Sequence, residues 1–307
     1  MNIIGTSCCP LRRERMPENE QMTHSQLFIS QMYFRQFSKN KKNLYRYDAN
    51  DLDKPPEIRS INKICREIDM YEPVYEDGSY VAPNHIENRF GRIETKTGKV
   101  IEAIKAKAQN DKCLSCTSIL SVEDKSTLII FITALMFRDP DTIDLGIKSL
   151  QATNPDMGLR DARNFTLYNL LPLGVDREWD ENTIIRTATE RLCGMAFQIG
   201  IADDDVIITS DRPVVLYPPD ENELYNRPKA VVFPLTSRLV LYLFALNDAE
   251  AIKRSLFIKL SEEQINDIQH NVAVYAREWI YSRNPLTKEQ LERVKEARAR
   301  LPRSNPS

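Results

Sequence analysis

Met195-Ala-Phe-Gln-Ile-Gly-Ile201, Asp205-Val-Ile-Ile-Thr-Ser210, Pro213-Val-Val-Leu-Tyr217, Ala230-Val-Val-Phe-Pro-Leu-Thr236 and Leu239-Val-Leu-Tyr-Leu-Phe-Ala-Leu246 are short β-branched or aromatic runs separated by turn residues. Such runs read as strands of a small, mainly antiparallel sheet. On either side of them the hydrophobic period is that of helices, and the order helices, sheet, helices predicts an α+β chain, mostly helical, with its sheet in the C-terminal half. The same order speaks against alternating βαβ units and a doubly wound nucleotide-binding fold.

Moving towards the N-terminus, Ile86, Phe90, Ile93, Thr97, Val100, Ile101, Ile104 and Ala108 recur at three and four and predict a long amphipathic helix over 84–109 with Asn84 as N-cap. Ser121 with Asp124 is a capping-box pattern opening the next helix, which Arg138-Asp139-Pro140 ends. That helix holds the most apolar stretch, Leu128 to Phe137, far short of the ~20 residues that cross a bilayer. Further helices are predicted near 140–152, 158–171 and 178–193. Residues 23–37 are apolar on all sides and predict a buried helix, Leu44 to Asp48 a strand, and Asp51 to Pro83 mostly loop with one short helix. After the strands, Ser261 caps a helix predicted to run through Tyr281, and Thr287 with Gln290 caps a highly charged last helix. The expected organisation is a flexible leader over 1–22, one integrated domain over 23–284, and a charged helix and tail over 285–307.

Composition sets outer bounds. The chain has 307 residues, 42% hydrophobic and 28% charged, with a formal net charge of −2. This is ordinary globular composition, and the expectation is a soluble, cytoplasmic protein without a membrane segment. The balanced charge does not indicate nucleic acid as a partner, and the local basic runs at Lys39 to Lys42 and in the last helix are too modest to change that. The six cysteines are irregularly spaced and read as reduced thiols.

Catalytic signatures are scarce. No P-loop, dinucleotide fingerprint, nucleophile elbow or zinc-protease motif occurs, and nine glycines leave little room for phosphate-cradling loops. Cys113-Leu-Ser-Cys116 is a lone CxxC, and with only three isolated histidines a four-ligand zinc site lacks its other half. No cofactor or metal is assigned by these patterns. The polar residues that call for an explanation are five. Glu87 and Glu94 fall about two turns apart on one helix face, where carboxylates hold a divalent cation, act as acid and base, or form an ordinary solvated face. Glu102 continues that face. Arg138 ends an otherwise apolar helix, either as a partner of the helix dipole or turned into a polar pocket. Asp211, in Ser210-Asp211-Arg212-Pro213, sits between two apolar strands as turn chemistry or as a site carboxylate. Arg35 lies in the first predicted helix.

Several pieces together resemble the domain-of-unknown-function family numbered 4238. Leu27 to Phe37 (LFISQMYFRQF) matches its opening pattern at Phe28, Gln31, Tyr33, Arg35 and Phe37. The helix carrying Glu87 and Glu94, the Arg138-Asp139-Pro140 helix end, Thr209 to Val215, Val232 to Thr236, and Asn271, Ala276 and Arg277 resemble its later motifs. The resemblance spans roughly 24–284. It departs at the start: the family's opening histidine falls on Leu27 and its proline on Ser30, with His24 one turn early. The resemblance implies a family pattern and no reaction.

Two readings of Arg35, Glu87, Glu94, Arg138 and Asp211 follow. In one they converge in a polar site, with a metal-dependent hydrolase or nuclease as the enzyme class. In the other the chain is a non-catalytic binding or sensor module in a defence or regulatory pathway, and the same residues are buried ion pairs.

Overall fold

The computed structural model describes residues 24–81, 83–110, 118–170, 184–217, 228–246 and 249–300. The 1–22 leader, the CxxC cysteines Cys113 and Cys116, and the end of the tail lie outside them. The chain opens with β1 (Ser25–Leu27) and α1 (Gln31–Phe34), the latter prolonged by a 3-10 turn over Arg35–Phe37. Then come β2 (Asn43–Asp48), β3 (Glu57–Ser60) and β4 (Arg66–Ile68). A helical stretch follows: α2 (His85–Ala108), α3 (Val122–Phe137), α4 (Pro140–Thr153), α5 (Leu159–Leu170) and α6 (Ile184–Cys193). The β-rich part holds β5 (Ala196–Ile201), β6 (Thr209–Ser210), β7 (Val215–Tyr217), β8 (Ala230–Pro234), β9 (Leu239–Phe244), α7 (Ala249–Lys253) and β10 (Ser255–Lys259). α8 (Glu262–Tyr275), β11 (Trp279–Ser282) and α9 (Lys288–Ala299) complete it.

The expectation of one small sheet in the C-terminal half is overturned. The strands form three sheets spread through the chain: β1-β4, β10-β5-β9-β8-β7 and β3-β2-β11-β6. The five-stranded sheet is antiparallel except where β10 runs parallel to β5. The four-stranded sheet joins the two ends of the described chain, with Tyr47 opposite Ile280. Sequence periodicity missed β3 and β4 because both are largely exposed and show no apolar alternation. They exist through distant partners, β3 on β2 and β4 on β1.

Two further corrections have local causes. The predicted 23–37 helix is a strand plus a short helix, because the Ser30 hydroxyl accepts the Met32 N–H and starts the helix only there. The helix expected to reach Tyr281 stops at Tyr275. Ala276 is extended, and the next N–H groups, of Arg277, Glu278 and Trp279, donate to the Asp211 carboxylate instead of to the helix. The capping boxes of α3, α8 and α9 form as the sequence indicates, with both reciprocal bonds present.

The larger core fills the space around the two big sheets, and α9 adds Val294 and Ala297 to it. A smaller core, including Tyr71, Ile86, Phe90, Ile143 and Leu167, lies among α2, α4 and α5. Phe28 and Ile93 touch both cores, and the buried Arg138 lies against Phe90 of the smaller one.

Candidate functional site

Arg138 is the C-cap of α3 and is 1% exposed, the bulkiest of the fully buried side chains among the described residues. A guanidinium at that depth requires partners. Its Nη1 lies 2.7 Å from Oε1 of Glu94, and its Nη2 3.8 Å from Oε2 of Glu87. Nη2 also donates to the carbonyl of Leu27, and Nε to the Tyr71 hydroxyl at 3.4 Å. The guanidinium carbon sits 4.0 Å from the centre of the Phe90 ring, a cation–π contact. Burial by itself pushes Arg138 towards the neutral form. Tyr71, Glu94 and Glu87 more than offset this, so the group stays protonated. Glu87 is less well served: burial pushes its carboxyl above the usual range, Arg138 pulls it back only in part, and Glu94 adds repulsion. Its buried Oε2 accepts no hydrogen bond.

A second buried polar knot adjoins the first. Gln26, fully buried on β1, donates to Oε1 of Glu72 at 2.5 Å and accepts the Tyr71 N–H at 2.6 Å. The same Glu72 oxygen accepts the Asn84 N–H at 3.1 Å. Asn84 precedes α2, as expected, but with a left-handed backbone (φ 58°) and no capping bond from its side chain. Burial raises the Glu72 carboxyl above its ordinary range, and the bonds from Gln26 and Asn84 oppose that.

Of the five residues singled out from sequence, Arg138, Glu87 and Glu94 come together. Asp211 and Arg35 do not join them. Asp211 is 4% exposed and accepts N–H groups of Arg277, Glu278 and Trp279 at 2.8, 2.8 and 3.0 Å. Burial raises its pKa against the pull of those three bonds. Arg35 is exposed and donates to Gln31 on its own turn. Glu102 pairs with Lys105 at 2.8 Å, away from the other two carboxylates of the helix. Among the described residues, no group of three His, Cys, Asp or Glu side chains is arranged to hold a metal ion. His24 bonds Asp69 at 2.9 Å, and so does Tyr80, so it does not take up a place beside Arg138.

Sequence reasoning missed Gln26, Tyr71 and Glu72. They sit in β1 or in the turn after β4, where no periodicity marks a residue as buried. The one available signal was the density of tyrosines in a stretch otherwise read as loop.

Among the described residues, two surface clefts lie beside residues named above. One, of about 400 Å³, is mainly apolar, with Phe28, Phe137, Leu145, Val214 and Leu216 in its lining. Its rim charges are paired: Arg212 binds Asp139 through Nε and Nη2, both at 3.0 Å, and also Asp141. The other, of about 710 Å³, lies between the α1 turn, the C-terminal part of α2 and the loop after β8, and Arg35 is on its wall.

The residues of the family-like motifs meet in the core. The Tyr33 hydroxyl donates to the carbonyl of Pro234 at 2.8 Å and bonds the Thr209 hydroxyl at 2.7 Å, while its ring stacks on Phe233 at 5.2 Å. The model of the family described as protein of unknown function, DUF4238, matches residues 26–285, and the chain belongs to that family. No curated relative and no solved structure matches it. No helix among the described residues is long and apolar enough to cross a membrane.

Proposed function

We propose that this DUF4238 member is a non-catalytic binding module, in which the buried pair of Arg138 and Glu94 acts as an electrostatic keystone of the fold and Glu87 stands beside it. The observation that carries this reading is the burial of Arg138 against Glu94, with two further donors taken by a backbone carbonyl and a tyrosine. At 1% exposure a guanidinium so engaged is out of reach of a substrate. The metal-dependent hydrolase reading loses its main support, because Asp211 is occupied by backbone N–H groups far along the chain from the other carboxylates. The family pattern points the same way. Its opening histidine falls on Leu27, whose carbonyl contacts both Arg138 and Tyr71. A titratable ring is therefore missing from a residue whose backbone meets the charged cluster. We further propose a cytoplasmic location, supported by the free thiols of Cys65 and Cys193.

Thermal melting of Glu94→Ala tests the reading. Removing one partner of a buried pair costs about 3–5 kcal/mol, somewhat less here because Glu94 is 20% exposed. A fall in Tm of roughly 5–15 °C is expected. A variant that melts like the parent means that Glu94 is not holding the fold, and the site reading regains its place.

A further inference from the structure

The 710 Å³ cleft is lined by six basic side chains and two acidic ones, in a chain whose overall formal charge is −2. Each carboxylate already has a partner. Glu102 binds Lys105 at 2.8 Å, and Asp205 lies 3.1 Å from Nε of Arg283 while accepting the Ser237 hydroxyl at 2.5 Å. Arg35, Lys39 and Arg238 are left, all exposed and in no ion pair among the described residues, and the exposed Lys41 shares Glu102 with Lys105. Arg35 donates only to the neutral Gln31, and Nε of Arg238 only to the carbonyl of Ala202.

Three features separate this from an ordinary solvated surface. The four cations come from two separate segments, 35–41 and the loop after β8, that meet only in the folded chain. The walls of the cleft are tied together: Arg283 donates to the carbonyl of Ser38 at 3.1 Å, and the Ser237 N–H to that of Gln36 at 3.4 Å. The surface is concave, and a low-dielectric cleft of one sign concentrates counter-ions. Its volume falls in the range of small-molecule sites, about 300–1,000 Å³. The C-terminal end of α2 also reaches the cleft and is electronegative. Lys105 stands on its last turn and offsets it.

We infer that this cleft is a binding site for a compact phosphate-bearing small molecule with two or more negative charges. The guanidinium forks of Arg35 and Arg238 match phosphate oxygens in pairs, and the ammonium groups of Lys39 and Lys41 add charge without fixed geometry. This rests on the chain being a binding module, and it gives that module a ligand class.

Calorimetric titration of the full chain with pyrophosphate and with magnesium-free ATP, at low salt, tests the inference. Saturable binding of at least one is expected. Arg35→Gln and Arg238→Gln should each weaken it about tenfold, the size of one charge-assisted hydrogen bond. Arg35 is exposed and bonds only Gln31, so Arg35→Gln should leave Tm without ligand unchanged, whereas Arg238→Gln also loses the bond to Ala202 and should lower it slightly. Lys39→Gln gives a second variant with a smaller expected loss. Absence of saturable binding to both probes overturns the inference, as does binding that survives the double substitution of Arg35 and Arg238. Preference for a single-stranded oligonucleotide over both probes also overturns it, because the site would then be an open nucleic-acid track. None of these results touches the keystone reading, which fails or stands on the melting of Glu94→Ala.

Discussion

Glu87 and Glu94 stand on one helix face and lean on one arginine, yet they should respond to substitution in opposite ways. Glu94 makes the 2.7 Å contact, whereas Glu87 keeps 3.8 Å and leaves an oxygen buried without a donor. Because burial raises the Glu87 carboxyl in the folded chain, the folded state holds that proton more tightly than the unfolded state does. Its effect on stability is therefore absent below the unfolded pKa, near pH 4, and becomes a growing cost as pH rises from there to the folded pKa. Glu87→Gln should raise Tm at pH 7 and make no difference well below pH 4, which melting across that pH range would check. A lower Tm at pH 7 would mean that Glu87 is needed to neutralise Arg138. Tyr33→Phe is a different kind of loss. It leaves the Thr209 hydroxyl and the Pro234 carbonyl buried without their partner, at a cost of about 1–3 kcal/mol, readable in a denaturation curve. Arg138 could be named from sequence because it interrupts an apolar run. Which of its possible partners it takes could not, since Leu27 offers a backbone carbonyl and Tyr71 lies in a segment without pattern.

Among the elements, β5 shows how closely the five-stranded sheet is covered. A Cβ at Gly200 would lie 2.5 Å from Cδ2 of Leu260 and 3.0 Å from Cε2 of Tyr242. Leu260 is itself 9% exposed, so it has little room to retreat. Gly200→Ala should destabilise by about 1–3 kcal/mol through overpacking, measured by the denaturant midpoint. The elements differ in how far they could be read in advance. α2, α3 and α9 carry their instructions locally, in a stripe at three and four or a reciprocal cap, and their positions follow from the sequence. β3 and β4 carry none, being exposed strands whose ladder partners are supplied from elsewhere. The end of α8 lies between these cases. Nothing within 262–281 marks the stop, because the group that ends it is Asp211, on another part of the chain.

At the scale of the molecule, the four-stranded sheet closes the described chain on itself. β2 pairs with β11, the Leu286 N–H donates to the Tyr47 hydroxyl at 2.7 Å, and Arg298 reaches the carbonyls of Ala49 and Ala276. A chain truncated after Ala276 lacks β11 and α9 and leaves one edge of β2 unpaired. It should lose cooperative thermal melting, while a variant shortened only beyond Arg300 keeps it. This closure was beyond any local reading of the sequence, because nothing in β2 marks β11 as its partner. It also sets a timetable for biosynthesis. Tyr47 and Leu286 are 239 residues apart, so at the usual pace of translation the N-terminal strand waits roughly ten to fifty seconds for the segment that completes it. During that interval one edge of β2 has no partner strand, and an open edge of this kind is prone to pairing with the wrong chain.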